Sequence, residues 1–227
     1  NKFFLLITDH FNDSDKISYI RKKLNFNVID SSSCLVSYMN NLLYSQSYFD
    51  QQSSIGSILP SNLIYVCPKP LTVFNKFKIL FNFTHASGGV VQNNKKELLM
   101  ICKNNIWDLP KGHVHLNEDF QECALREVQE ETGVKSLKVM SSKMLTHHIY
   151  RQNFPFSQHT SKISINNKDK MYLKETKWFL MNTYSDFKLV PQYEEGITDV
   201  RWIPLNQVYS LSVHNSILLL LSDIFGI

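Results

Sequence analysis

The chain has 227 residues, enough for a sizeable core and for one or two domains. Hydrophobic residues make up 43% of it and charged residues 19%, a composition that excludes wholesale disorder. The 24 Lys and Arg residues against 20 Asp and Glu residues give a net charge of +4, which is too small by itself to indicate a nucleic-acid partner.

No stretch of the sequence predicts a membrane span or a signal peptide. The longest purely apolar runs, 3–7 and 217–221, are short, whereas a span needs roughly 20 residues. The four cysteines, at positions 34, 67, 102 and 123, form no CxxC pair, so we expect reduced thiols in a cytoplasmic protein. The sequence does not begin with Met, so residue 1 need not be the native start.

Residues 1–82 are predicted to form a small α/β unit in which strands and helices alternate. No motif in this part carries chemistry, so its role is not indicated. The predicted elements are strands at 3–8, 27–29 and 63–66, helices at 13–24, 34–44 and 71–83, and a loop over 45–61.

Residues 83–227 have a different pattern and are predicted to form a second domain. Turn residues at 93–96 separate two apolar runs and predict a hairpin between 88–91 and 98–101. The other predicted elements are strands at 144–150, 176–181 and 199–203, a long mobile loop over 151–170, and one terminal helix over 205–225.

One helix can be predicted in detail, from Phe120 to Thr132. Asp119 is placed to cap it, and Glu122 lies at the position that closes a capping box. An apolar stripe recurs every four residues at Phe120, Ala124 and Val128, and Gly133 supplies the left-handed residue that ends a helix.

Three carboxylates share one face of this helix, because Glu127 and Glu131 are about 40° apart and Glu130 about 60° beyond Glu127. One interpretation is a solvated acidic face. The other is a site for Mg²⁺, which prefers several oxygen ligands. Glu131 projects beside the apolar stripe, and Arg126 is placed to orient a carboxylate, so we favour the metal site.

The spacing of these residues matches a known motif at every specified position: Gly112, five residues, Glu118, seven residues, and then Arg-Glu-Val-x-Glu-Glu-x-Gly-Val over 126–134. A chance match has a probability on the order of 1 in a billion. This is the Nudix box, and residues 83–227 resemble the Nudix hydrolases. The resemblance implies an α/β/α sandwich around a mixed sheet, with the box as a loop-helix-loop. It also implies metal-dependent hydrolysis of the pyrophosphate bond in a nucleoside diphosphate linked to another group.

Residue roles follow from the same resemblance. Glu127, Glu130, Glu131 and the Gly112 carbonyl are expected to hold Mg²⁺ or Mn²⁺. Arg126 is expected to position the carboxylates, and Glu118 to support the metal ligands or the loop. Glu130 is the leading candidate for the general base, and the loop pair Glu194 and Glu195, with Glu194 first, is the runner-up.

The substrate is less clearly indicated. Lys111, in Trp-Asp-Leu-Pro-Lys-Gly-His-Val over 107–114, and the segment 175–181 resemble the diadenosine-polyphosphate hydrolases, whereas His115 and Asn117 depart from that subgroup. Lys111 is therefore either a phosphate contact or an exposed loop lysine. Tyr150 and Arg151 are candidates for substrate contact or for core and surface roles, and Trp107 for loop packing or base stacking.

The sequence favours a pyrophosphohydrolase acting on a (di)nucleoside polyphosphate, with a homodimer left open and no nucleic-acid partner expected. The main alternative is a Nudix-like module that binds a nucleotide without turnover, although such modules often lack box carboxylates. An isopentenyl-diphosphate isomerase or a cap-removing enzyme would require a Cys/Glu arrangement or a basic RNA-binding region, and neither is seen.

Overall fold

The computed structural model describes residues 4–8, 27–29, 62–66, 69–151, 171–184 and 188–226. Contacts divide the chain into two compact units, residues 1–83 with 148–173 and residues 84–147 with 174–227. The domain boundary after residue 82, which the sequence suggests, stays a prediction. No described helix is long and apolar enough to cross a membrane.

The first unit contains a small parallel sheet with strand order β1-β3-β2. Its elements are β1 (Phe4–Thr8), β2 (Asn27–Ile29), β3 (Asn62–Val66) and helix α1 (Pro70–Lys78). The three predicted strands are therefore present. The helices predicted at 13–24 and 34–44 and the loop over 45–61 lie outside the described residues.

Helix α1 is shorter than predicted, because the chain turns after Lys78 and enters a strand at Asn82. The sequence predicted one helix as far as Phe83. Residues 82 and 83 instead begin the next strand, Asn82–Gln92. Pairing in the sheet therefore prevails over the helical pattern at these two residues.

A seven-stranded sheet runs in the order β10-β5-β4-β9-β8, with β6 paired to β5 and β7 to β4. Each of the five strands predicted here is present and extends further than predicted. The strands are β4 (Asn82–Gln92), β5 (Glu97–Lys103), β6 (Ile106–Asp108), β7 (Lys111–His113), β8 (Lys138–Arg151), β9 (Met171–Asn182) and β10 (Ile197–Pro204). Of the loop predicted at 151–170, Arg151 ends β8 and residues 152–170 lie outside the described part.

The sheet is covered on both faces, and each face contributes to a hydrophobic core. Successive residues alternate between two cores: Val90 and Trp178 contribute to one, and Val91 and Phe179 to the other. Helix α2 (Phe120–Thr132) packs on the second core through Ala124. The C-terminal helix over Asn215–Phe225 packs on the first core through Leu220 and Leu221. The result is the predicted α/β fold.

The C-terminal helical region is two helices, α3 (Leu205–Val208) and α4 (Asn215–Phe225), so the prediction of one helix over 205–225 is wrong. Between them the chain runs beside β6, where Val213 forms a bridge with Trp107 and the Trp107 N–H donates to the Ser212 carbonyl at 2.8 Å. This tertiary pairing competes with helix formation at those residues.

Candidate active site

Helix α2 begins and ends as the sequence predicts. The Asp119 carboxylate accepts hydrogen bonds from the N–H groups of Gln121 and Glu122 at 2.7 and 2.8 Å, and the Glu122 carboxylate accepts from the Asp119 N–H at 3.2 Å. Gly133 ends the helix with φ of 75°. The capping box therefore fixes where the carboxylates of the next turns are placed.

The three candidate metal ligands on α2 occupy two different environments. Glu127 and Glu131 are buried, with 7% and 4% exposure, whereas the side chain of Glu130 is 48% exposed. The face that the sequence predicts for all three is thus divided between the core and solvent. Within the described parts of the chain, no three His, Cys, Asp or Glu side chains converge into a ready-made metal site.

Arg126 connects two of these carboxylates, Glu127 and Glu130. One terminal nitrogen donates to Glu127 at 2.7 Å and to Glu130 at 3.0 Å. Its Nε and second terminal nitrogen donate to the two oxygens of Glu118, at 2.7 and 2.9 Å, in a bidentate pair. This pair holds the pKa of Glu118 at about 2, and its carboxylate partners raise the pKa of Arg126.

Glu118 also shapes the loop before the helix. Its carboxylate accepts a hydrogen bond from the His115 N–H at 2.9 Å, while Arg126 donates to the His113 carbonyl at 3.1 Å. The loop residues 113–118 are therefore tied to α2 through one arginine and one glutamate. This placement agrees with the loop-supporting role expected for Glu118.

Gly112 lies directly against the Glu127 carboxylate, and a methyl group on Gly112 would overlap the carboxylate atoms. Any larger residue here would have to displace the Glu127 carboxylate, because the backbone of β7 lies against the end of that side chain. The close approach brings together the Glu127 carboxylate and the backbone of Gly112. Both residues are predicted to hold the metal ion.

Glu131 is fixed from the same strand, since its carboxylate accepts a hydrogen bond from the Lys111 N–H at 2.8 Å. Burial raises the pKa of Glu131 to about 8, with further contributions from the charges of Glu127 and Glu195 and opposition from Lys111. Burial likewise raises the pKa of Glu127, against the effect of Arg126. A cation bound beside these two acids would favour their ionised form.

The donor chemistry of this region fits a hard divalent cation. The available groups are carboxylate and carbonyl oxygens, the ligands that Mg²⁺ and Mn²⁺ prefer. The hydrogen bonds from Arg126 and Lys111 use one oxygen each of Glu127, Glu130 and Glu131. Cys123 contacts the Gly112 carbonyl through Sγ at 3.7 Å, but burial raises the pKa of this thiol to about 12, so it stays protonated.

The side chain of Lys111 is paired rather than extended into solvent. Its Nζ donates to Asp108 Oδ2 at 2.6 Å, and the two side chains are 19% and 15% exposed. Burial favours the neutral acid of Asp108, but Lys111 and His214 together keep its pKa below the ordinary value. Asp108 was not predicted as a partner of Lys111, although the i, i+3 spacing of opposite charges was a signal for this pair.

The loop glutamates lie in a 3₁₀ turn at Tyr193–Glu195 and are exposed. The charge of Glu195 contributes to the raised pKa of both Glu127 and Glu131, after burial. Glu194 is the residue of this pair that the sequence favours as a candidate base. For Glu195, the structure adds this electrostatic influence on the two buried box acids.

Other candidates lie elsewhere. The Tyr150 ring stacks on Tyr172 with centroids 5.4 Å apart, in the first unit. Trp107 packs against the first core and takes Arg201 over its ring at 5.5 Å, which agrees with loop packing.

One cluster on the sheet was not predicted. Glu175 lies 2.9 Å from His147 Nε2 and 3.7 Å from His85 Nδ1. These residues come from three separate strands, so no local sequence pattern could have joined them.

Comparison with known proteins identifies the family. The NUDIX domain model matches residues 83–219, more than half of the chain. RNA pyrophosphohydrolases of Hamiltonella defensa (subsp. Acyrthosiphon pisum) and Pelagibacter ubique are 28% and 24% identical over 130 and 135 residues, covering 54% and 55% of this chain and 78% and 79% of theirs. A C. elegans Ap4A hydrolase structure is 18% identical, with a TM-score of 0.46, covering 63% of this chain and 96% of that one.

The fold and the box define an enzyme that hydrolyses pyrophosphate bonds in nucleotide-linked substrates. The chain belongs to the Nudix family. Nudix hydrolases generally use divalent metals.

Proposed function

We propose that this chain is a Mg²⁺-dependent hydrolase of (di)nucleoside polyphosphates, with Mn²⁺ as the alternative ion. The observation that carries the proposal is the contact of the Glu127 carboxylate with Gly112, beside Glu131 held by the Lys111 N–H. These contacts bring oxygen donors from one short strand and one helix together, and oxygen donors suit Mg²⁺.

Each box residue has a proposed role. Gly112 through its carbonyl, Glu127, Glu130 and Glu131 would hold the ion, and Arg126 orients Glu127 and Glu130 by direct hydrogen bonds. A bound divalent cation supplies positive charge that neutralises phosphate oxygens and lowers the pKa of water.

The proton acceptor is proposed to be Glu130. It is the most exposed of the three box carboxylates, so it can reach water. Glu194 stays the runner-up by sequence, and the electrostatic influence of Glu195 on the box favours Glu195 within that pair.

Substrate contact is proposed for Lys111, which lies in β7 next to Gly112. Tyr150 stays a weaker candidate, because its described ring contacts are within the first unit. A polyphosphate substrate is supported by the lysine, since an extra phosphate brings extra negative charge for it to contact.

The test is a substrate panel assayed with purified protein and Mg²⁺: dinucleoside polyphosphates, nucleotide sugars, NADH, oxidised nucleotides and a 5′-triphosphorylated RNA. The RNA is included because the relatives above carry the name RNA pyrophosphohydrolase. We expect fastest release of product from a dinucleoside polyphosphate and none after metal removal by EDTA.

Glu130→Gln is expected to reduce the rate at least about a hundredfold, because it removes the proposed proton acceptor and a metal ligand. Glu122→Gln is the matched control on the same helix, since glutamine also serves in a capping box. If the wild-type chain and Glu130→Gln are equally inert on the whole panel yet bind nucleotides, the chain is a binding module without turnover.

A further inference from the structure

Lys111 is held at both ends. Its N–H donates to Glu131 on helix α2, and its ammonium donates to Asp108 at 2.6 Å, with the Leu109 carbonyl a longer contact at 3.4 Å. The side chains of Lys111 and Asp108 are mostly, but not completely, withdrawn from solvent. The pair therefore differs from an exposed surface salt bridge, whose partners move freely.

Asp108 is itself anchored from several directions. Its second oxygen accepts the Leu109 N–H at 2.8 Å, and its backbone lies opposite Ile101 in the β5–β6 pairing. His214 Nε2, at the start of helix α4, lies 3.8 Å from Asp108 Oδ2. These contacts place the carboxylate at a fixed point beside the box strand.

An ammonium group has three N–H donors, and the described contacts with Asp108 and Leu109 account for two of them. A lysine whose side chain is already ordered loses less conformational freedom when it binds a ligand oxygen. Holding Lys111 in this way therefore favours binding of a phosphate at the third donor.

We propose that Asp108 is a positioning residue, which holds the Lys111 ammonium for one phosphate beyond those at the box carboxylates. Asp108 thereby contributes to selection of substrates by the number of their phosphates. The inference rests on the proposed function, because it assigns a polyphosphate to the site at Gly112 and α2.

The test measures binding, so that it does not depend on turnover. Isothermal titration calorimetry with Mg²⁺ compares inorganic tripolyphosphate with pyrophosphate for the full chain and for Asp108→Asn, Lys111→Met and the double variant. Asn at 108 removes the negative charge and places an amide next to the ammonium, so Lys111 loses its anchor. We expect tripolyphosphate to bind Asp108→Asn about fivefold more weakly, and pyrophosphate to be affected less.

The double-variant comparison separates positioning from a general effect. In the Lys111→Met background, Asp108→Asn is expected to cause no further weakening, because Asp108 acts through the lysine. Asp199→Asn is the matched control, since it removes one charge from another ion pair of the same unit, with Arg201. That variant is expected to bind both probes as the unchanged protein does.

Three results would overturn the inference: tighter or unchanged tripolyphosphate binding by Asp108→Asn, equal weakening for both probes, or no tripolyphosphate binding by the wild-type chain. Circular dichroism checks folding. If Asp108→Asn does not fold, Asp108→Glu replaces it, and retention of the tripolyphosphate preference is the supporting result and its loss the contrary one. Failure of the proposed function shows separately, as absence of turnover on the substrate panel despite preserved binding.

Discussion

Gly112 shows at the scale of one residue how closely the box is packed. Because a methyl group there would overlap the Glu127 carboxylate, Gly112→Ala must displace that side chain or the strand. We expect the hydrolysis rate to fall at least about a hundredfold, equivalent to about 2.7 kcal/mol in the barrier. The measurement is kcat/KM on the best panel substrate.

Gly226→Ala is the control for this change. Gly226 has a positive φ of 69°, but nothing lies within 4 Å of a Cβ built there. Its substitution tests the loss of a glycine without the overlap, and activity should be kept. Equal activity of Gly112→Ala and the unchanged protein would show that Glu127 is not held where the structure places it.

The buried Glu131 predicts a pH dependence of stability in the metal-free protein. Its pKa is about 8 in the folded chain, against an ordinary value of 4.5. The folded state therefore binds more protons than the unfolded state between these values, and the free energy of unfolding falls as pH rises through that window. Urea denaturation in EDTA at several pH values measures the slope.

Glu131→Gln cannot ionise, so the variant should show a flatter pH profile over the same range. A profile as steep as that of the wild-type protein would mean that other groups produce the dependence. Added Mg²⁺ should raise wild-type stability most at the higher pH, because the ion binds the ionised carboxylate.

At the scale of elements, helix α2 depends on its N-terminal cap. Asp119→Ala removes the acceptor for two N–H groups and should lower the free energy of unfolding by about 1 kcal/mol. Asp119→Asn keeps an acceptor and should cost less. Urea denaturation compares the three proteins, and no difference between Asp119→Ala and wild type would mean that water or a neighbour replaces the cap.

The prediction of α2 is correct and the prediction of one helix over 205–225 is wrong, for a physical reason. Helix α2 was predictable because Asp119, Glu122 and Gly133 are local signals for its start and end. The terminal helix was predicted as one because 205–225 contains no Pro or Gly that would break it, and nothing local shows that Val213 pairs with Trp107. A contact between residues about a hundred positions apart decides that break.

At the scale of the whole molecule, the box residues, Arg126 and Glu195 all belong to the second unit, 84–147 with 174–227. We therefore expect a chain lacking residues 1–82 to keep the proposed metal-dependent hydrolysis. The measurement is hydrolysis of the best panel substrate by the truncated and the full chain, with circular dichroism to check folding. A folded truncated chain without activity would assign the first unit a part in catalysis.

The sequence by itself determined the box, because its residue spacing and the caps of α2 are local features. It therefore predicted α2, the family resemblance and, through that resemblance, a role for Arg126 in positioning the box carboxylates. Only the tertiary structure decided that Glu130 faces solvent while Glu127 and Glu131 are buried, and that Asp108 pairs with Lys111 and lies beside His214. The spacing of residues in a helix specifies the face on which each side chain lies. Burial and ion pairing depend instead on which strand or helix packs against that face, and this is decided by the tertiary structure.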